Sequence, residues 1–76
     1  MAYYTLLVRD GDNRPWHVEF GDRDRDTVQV ELDEMVHGYM PVPRRHARII
    51  RTSTAHQWRI NDAVAHLNHT ARGASQ

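Results

Sequence analysis

The segment Tyr3–Val8 constrains this chain more than any other: it carries no charge and is apolar on both of its alternating faces. In an extended chain successive side chains point to opposite sides, so Tyr4, Leu6 and Val8 share one face, and Tyr3, Thr5 and Leu7 the other. A strand apolar on both faces belongs in the middle of a sheet, and the rest of the chain must supply its neighbours.

Asp10-Gly11-Asp12-Asn13-Arg14 follows and is dense in turn formers. Trp16 to Phe20 then alternates, with Trp16, Val18 and Phe20 inward and His17 and Glu19 outward. Together these segments predict a β-hairpin with a loop of about five residues. Gly21-Asp22 ends the second strand. Asp24 is a good N-cap, and Asp26 suits the positive end of a helix dipole. Val28, Leu32, Met35 and Val36 form one apolar stripe. The helix is therefore expected over about 24–37, with Gly38 as a left-handed cap. Met40-Pro41-Val42-Pro43 must be extended and stiff.

Arg45 to Thr52 reads as a third strand. Ala47 and Ile49 share a face with Arg45 and Arg51, while Arg44, His46 and Arg48 share the other with Ile50. Thr54-Ala55-His56-Gln57 fits a capping box. It opens a final helix with the stripe Ile60, Val64, Leu67 and Ala71, and Ala63 beside it. The tail from Gly73 on is expected to fray. The fold class predicted is α+β, in the order β-β-α-β-α. The simplest arrangement is a three-stranded antiparallel sheet of order 2-1-3 with both helices on one face. Residues 1–72 make one small domain, and 73–76 a frayed tail.

The whole chain has 76 residues, 39% of them hydrophobic. A domain of this size buries only about 60% of the surface its unfolded chain exposes, which leaves little material for a large enclosed substrate cavity. There is no cysteine, which excludes disulfides and thiolate catalysis and fits a reducing cytosol. No signal peptide is expected, and no stretch approaches the roughly 20 apolar residues of a membrane helix. A cytoplasmic protein without a membrane partner is the expectation. Every basic residue is arginine. A GC-rich coding sequence explains that most simply, although arginine also suits bidentate contact with phosphate or carboxylate.

The zero net charge hides two opposed halves. Residues 1–40 hold four arginines against nine carboxylates, and residues 41–76 six arginines against Asp62 alone. Such asymmetry speaks of partners and solubility rather than of fold.

The stretch Trp16-His17-Val18-Glu19-Phe20-Gly21-Asp22-Arg23-Asp24-Arg25 is distinctive. With Tyr4, Leu6, Leu7 and Arg9 before it, Val28 and Glu31 after it, and Leu67-Asn68 near the end, it resembles small proteins of proteobacterial genomes and their phages or mobile elements. Those read W-x-x-x-F-G-D-Y-D-R-x-x-V; here Arg23 stands in place of an aromatic residue. The resemblance carries no catalytic or binding residue over to this chain. It implies a prokaryotic, phage-borne setting, in which small proteins act by binding host machinery, as anti-CRISPR proteins do.

Candidate chemistry is sparse. His66 and His69 lie one helical turn apart, but zinc needs further ligands. His56, His37 and Asp62 are the remaining donors, and no spacing brings them near. Histidines on a solvated helix face explain the pattern better, so no metal or other cofactor is expected. Ser53, Thr54 and His56 read as a helix cap, and no nucleophile turn or glycine-rich phosphate loop is present. Asp22, Asp24 and Asp26 read as a solvated helix start with ion pairs to Arg23 and Arg25. An enzyme is not expected.

Arg44-Arg45-His46-Ala47-Arg48-Ile49-Ile50-Arg51 is the best nucleic-acid signal, with salt-dependent binding implied. Against it, strand alternation splits the arginines between two faces, and the domain is neutral overall. The simpler account pairs Arg45 and Arg51 with acids on neighbouring elements. The aspartates of the hairpin loop and of the helix start should form two spots some 16 Å apart, at about 3.3 Å per strand residue. Tyr3, Tyr39, Met40 and Trp58 are the apolar residues least assigned to the core.

The sequence therefore favours a non-enzymatic protein-binding module. Its setting would be a phage or mobile element, acting on a host nucleic-acid-processing complex in an anti-CRISPR-like way. The expected contacts are Asp22, Asp24, Asp26 and Glu31 on the acidic side, and Arg44, Arg45 and Arg48 on the basic side. The alternative is a DNA- or RNA-binding module using Arg44–Arg51. A homodimer joining the two opposed halves is a third reading.

Overall fold

The computed structural model describes residues 2–74, the side chains of 71–74 excepted. The chain forms β1 (Tyr3–Val8), β2 (His17–Asp22), α1 (Arg25–His37), a 3-10 turn at Arg44–His46, β3 (Ala47–Thr52) and α2 (Gln57–Ala74). The sheet is antiparallel throughout, in the order β2-β1-β3. The α+β class, the β-β-α-β-α order and the central place of β1 stand as the sequence predicts.

One face of the sheet packs on α1. Leu6, Val8 and Ala47 form a buried cluster with Val28 and Leu32, and Tyr4, Phe20, Met35, Val36 and Ile49 pack around it. The predicted helix stripe is thus the observed one. Asp24 is the N-cap, its side chain accepting from the Asp26 N–H.

The opposite face is covered as well. Thr5 and Leu7 are 1% and 0% exposed, yet neither belongs to the cluster under α1. Ile60 of α2 is also buried. Leu67 and Thr70 of α2 line one hollow with Arg9, Trp16 and Arg48. Arg48 is opposite Leu7 in the ladder and so shares its face. α2 therefore lies on the face of Thr5 and Leu7, opposite α1, and the expectation of both helices on one face does not hold. The molecule spans 36 × 32 × 13 Å between Cα atoms.

The second strand departs from simple alternation. Leu6 faces Phe20, but Leu7 faces Val18, so Glu19 is the extra residue of a β-bulge. The bulge puts Phe20 on the α1 face and leaves Val18 on the other, 43% exposed. Gly21 and Asp22 continue the ladder opposite Thr5 and Tyr4 rather than ending it. The Tyr3 ring lies across Gly21, so that a Cβ there would meet its hydroxyl oxygen at 2.5 Å and displace the ring. Gly38 is likewise not left-handed, its φ being −81°. A side chain at that position would run into the Glu34 carbonyl.

Two further boundaries move. The His46 N–H donates to the Pro43 carbonyl at 2.8 Å, closing the 3-10 turn, so β3 begins at Ala47 and not at Arg45. Thr54 Oγ1 accepts from the His56 N–H, and Gln57 Nε2 donates to Asn61. The start of α2 is thus a short hydroxyl turn instead of a capping box. α2 persists through Gly73 and Ala74, where fraying is expected; Ser75 and Gln76 lie outside the described residues.

Candidate functional site

The hairpin loop and the β2–α1 junction sit at opposite ends of β2, so the two aspartate groups are separate, as expected. They differ in what holds them. At the junction the Asp24 N–H donates to Asp22 Oδ1 at 2.8 Å, and the Asp26 N–H to Asp24 Oδ1 at 3.0 Å. Asp22 and Asp24 are therefore engaged in local turn and cap chemistry. Asp26 is exposed and Glu31 half-buried. The ion pairs expected with Arg23 and Arg25 do not form: among the described residues no carboxylate lies within 4 Å of either guanidinium.

At the hairpin end the contacts are long-range. Asp12 Oδ1 accepts from Arg45 Nε at 2.8 Å and lies 2.7 Å from His46 Nε2. The 3-10 turn makes this convergence. A strand would send Arg45 and His46 to opposite faces, whereas the turn lets both reach one carboxylate oxygen. Those two hydrogen bonds, Arg45 first and His46 second, hold the Asp12 carboxyl at about 2. The His46 carbonyl accepts from the Arg9 N–H at 3.0 Å, and Arg9 Nη1 donates to the Asp12 carbonyl at 3.2 Å. The hairpin loop is thereby pinned to the residues entering β3.

Trp16 is the centre of this end. It is 8% exposed. The guanidinium carbons of Arg9 and Arg48 lie 4.7 and 5.6 Å from its ring centroid, within cation–π range. Asn68 of α2 accepts from the Trp16 N–H at 2.7 Å and donates to the Trp16 carbonyl at 3.2 Å. One side chain thus satisfies both backbone groups of a residue 52 positions away. The result is an open hollow of about 430 Å³, lined by Arg9, Trp16, Arg45, Ala47, Arg48, Leu67 and Thr70.

The expected basic contacts are therefore partly brought together. Arg45 and Arg48 share the hollow, while Arg44 is exposed at the start of the 3-10 turn. Arg9, Trp16 and Thr70 join them without having been singled out by the basic run. Arg9 has the clearest sequence signal: it stands one step past an uncharged strand, on the face of Leu7. Of the two arginines expected to pair, Arg45 does so with Asp12; Arg51 has no carboxylate within 4 Å among the described residues. Among those residues no three potential ligands gather to hold a metal, and no helix is long and apolar enough to cross a membrane. Tyr39, Met40 and Trp58 are 100%, 81% and 61% exposed, and Arg59 lies 4.4 Å over the Trp58 ring.

Compared with known proteins, the chain matches no family model, no curated protein and no solved structure.

Proposed function

We propose that this is a non-enzymatic binding module that docks electrostatically on a nucleic-acid-processing complex. One observation carries the reading: the charges are not spent inside the molecule. Among the described residues only Asp10, beside His17, and Asp12, beside Arg45 and His46, have a basic side chain within 4 Å, and Arg45 is the sole arginine with a carboxylate partner. A small domain whose ionic groups leave one another unpaired directs them at solvent or at a partner. Complementary charge then governs encounter and register more than raw affinity.

The two signs lie on different layers. α1 carries Asp26, Glu31, Asp33 and Glu34 against Arg25. The α2 side of the sheet presents Arg9 and Arg48, with Arg44 and Arg45 at its edge. A nucleoprotein offers both complements, namely the basic protein surface that grips nucleic acid and the phosphates it grips. Asp26 and Glu31 are the contacts proposed for the first, and Arg44, Arg45 and Arg48 for the second. A host complex as the target, and an inhibitory, anti-CRISPR-like role in a phage or mobile element, are proposed from the motif Trp16–Arg25 alone. Direct nucleic-acid binding is the second reading, favoured by the clustering of arginines at the hairpin end.

The test is capture of partners from bacterial lysate by tagged protein, with and without nuclease, identified by mass spectrometry. A stoichiometric protein that survives nuclease supports the docking reading. Recovery of nucleic acid, with every protein lost after nuclease, moves the assignment to the second reading. If neither protein nor nucleic acid is retained, or if reversing Arg44 and Arg48 leaves capture unchanged, the docking assignment fails.

A further inference from the structure

We propose that the hollow between the sheet and the C-terminal half of α2 binds a phosphomonoester carried by a nucleotide. The inference shares its arginines with the docking reading and deepens it, but it concerns a small ligand that the isolated protein would hold without any protein partner.

Size and charge come first. At about 430 Å³ the hollow falls within the usual range of ligand sites, about 300–1,000 Å³. Its wall contains three guanidiniums, from Arg9, Arg45 and Arg48. Within 4 Å of them there is one carboxylate among the described residues, Asp12, and it bonds Arg45 and His46. Arg9 and Arg48 are thus left uncompensated. A phosphomonoester carries a charge of about −1.5 to −2 at neutral pH, whereas a backbone diester carries one. The dianion is the better complement.

Donor accounting agrees. Arg9 commits Nη1 to the Asp12 carbonyl, and Arg45 commits Nε to the Asp12 carboxylate. Arg48 has no protein acceptor among the described residues. Arg9 Nε is buried and has no hydrogen-bond partner. Buried donors are seldom left unmade, and guanidinium edges match phosphate oxygens in geometry. Thr70 adds a hydroxyl to the rim. The contacts with Trp16 hold the Arg9 and Arg48 guanidiniums in place before a ligand arrives, which lowers the ordering cost of binding.

The rest of the wall favours a nucleotide as the carrier. Leu67, Ala47 and Trp16 share the wall with the cations, and such a surface suits a sugar or base beside the phosphate. The ring of Trp16 is already occupied by arginine, so stacking on it does not read the base. The site distinguishes a phosphate terminus, not a sequence.

The experiment uses the full chain with Trp58→Phe, which leaves Trp16 as the fluorescent reporter. Ligands are a 5′-phosphorylated tetranucleotide, its 5′-hydroxyl counterpart, AMP, and a phosphoserine peptide of similar length. The phosphorylated strand should bind at least about tenfold more tightly than the hydroxyl strand. Arg48→Gln, at an exposed position, should bring that ratio close to one while circular dichroism stays unchanged. AMP bound as tightly as the phosphorylated strand assigns the site to free nucleotides; AMP bound more weakly assigns it to strand ends. Equal binding of the two strands, a ratio unaltered by Arg48→Gln, or equal binding of the phosphoserine peptide overturns the proposal. Because no lysate partner is involved, this outcome is independent of the capture experiment.

Discussion

The two ends of β2 use aspartate in opposite ways. At the β2–α1 junction, Asp22 and Asp24 bond backbone N–H groups two residues ahead. At the hairpin end, Asp12 bonds side chains 33 and 34 residues away, and Trp16 is bonded by a side chain 52 residues away. The junction is local chemistry that starts a helix. The hairpin end is an interlock of three segments that fixes an arginine-lined hollow. An acidic cluster in sequence is therefore a weak sign of a binding face when each carboxylate already has a backbone donor to satisfy.

The sharpest way to break this contrast is Trp16→Ala. It removes a buried indole and the seat of two guanidiniums, and should cost about 3–5 kcal/mol in urea unfolding. A loss below about 1 kcal/mol would mean that the interlock contributes little to the fold. Asn68→Ala comes next. It strips both backbone groups of Trp16 of their side-chain partner and should cost about 1–3 kcal/mol, which the same denaturation curve reads. On the other side of the comparison, Asp24→Ala removes only a helix cap, so about 1 kcal/mol is expected. A larger cost would show that the junction too is held by tertiary contacts.

The smallest effect is the pH dependence of Asp12. Its carboxyl is lowered from 3.8 to about 2 in the folded protein. A lowered carboxyl stabilises fully above the unfolded value and loses that contribution as the pH falls through the folded one. Melting temperatures of the wild type and Asp12→Asn should therefore differ above pH 4 and converge between pH 4 and 2, where only the wild type loses this interaction. Parallel curves throughout that window would rule out the Asp12 hydrogen bonds as their source.

Much of the fold was legible in the sequence. The stripe Val28, Leu32, Met35 and Val36, the Asp24 cap and the central place of β1 all follow from spacing. The helix on each face was not read: the two apolar faces of Tyr3–Val8 point to a central strand, and both helices are expected on one face, whereas the burial of Thr5 and Leu7 away from the α1 cluster shows that each face is covered. The Glu19 bulge was not legible, because a one-residue insertion leaves the alternation of Trp16, Val18 and Phe20 intact on paper. Nor was the 3-10 turn, since Arg45 and His46 suit a strand by propensity until Pro43 accepts from the His46 N–H. The hollow was half legible. The basic run supplies Arg45 and Arg48, but Arg9, Trp16 and Thr70 come from distant segments that only the sheet and α2 bring together.

The most direct measurement crosses the two ends in one assay. Arg44→Glu with Arg48→Glu is compared with Asp22→Ala with Asp24→Ala, scoring both partner capture and unfolding free energy. The arginine pair should abolish capture and cost about 0.5–1 kcal/mol, the worth of the Arg48 contact with Trp16. The aspartate pair should lower stability by about 1–2 kcal/mol and leave capture intact. Capture retained by the arginine pair and lost with the aspartate pair would contradict the assignment of binding to the hairpin end.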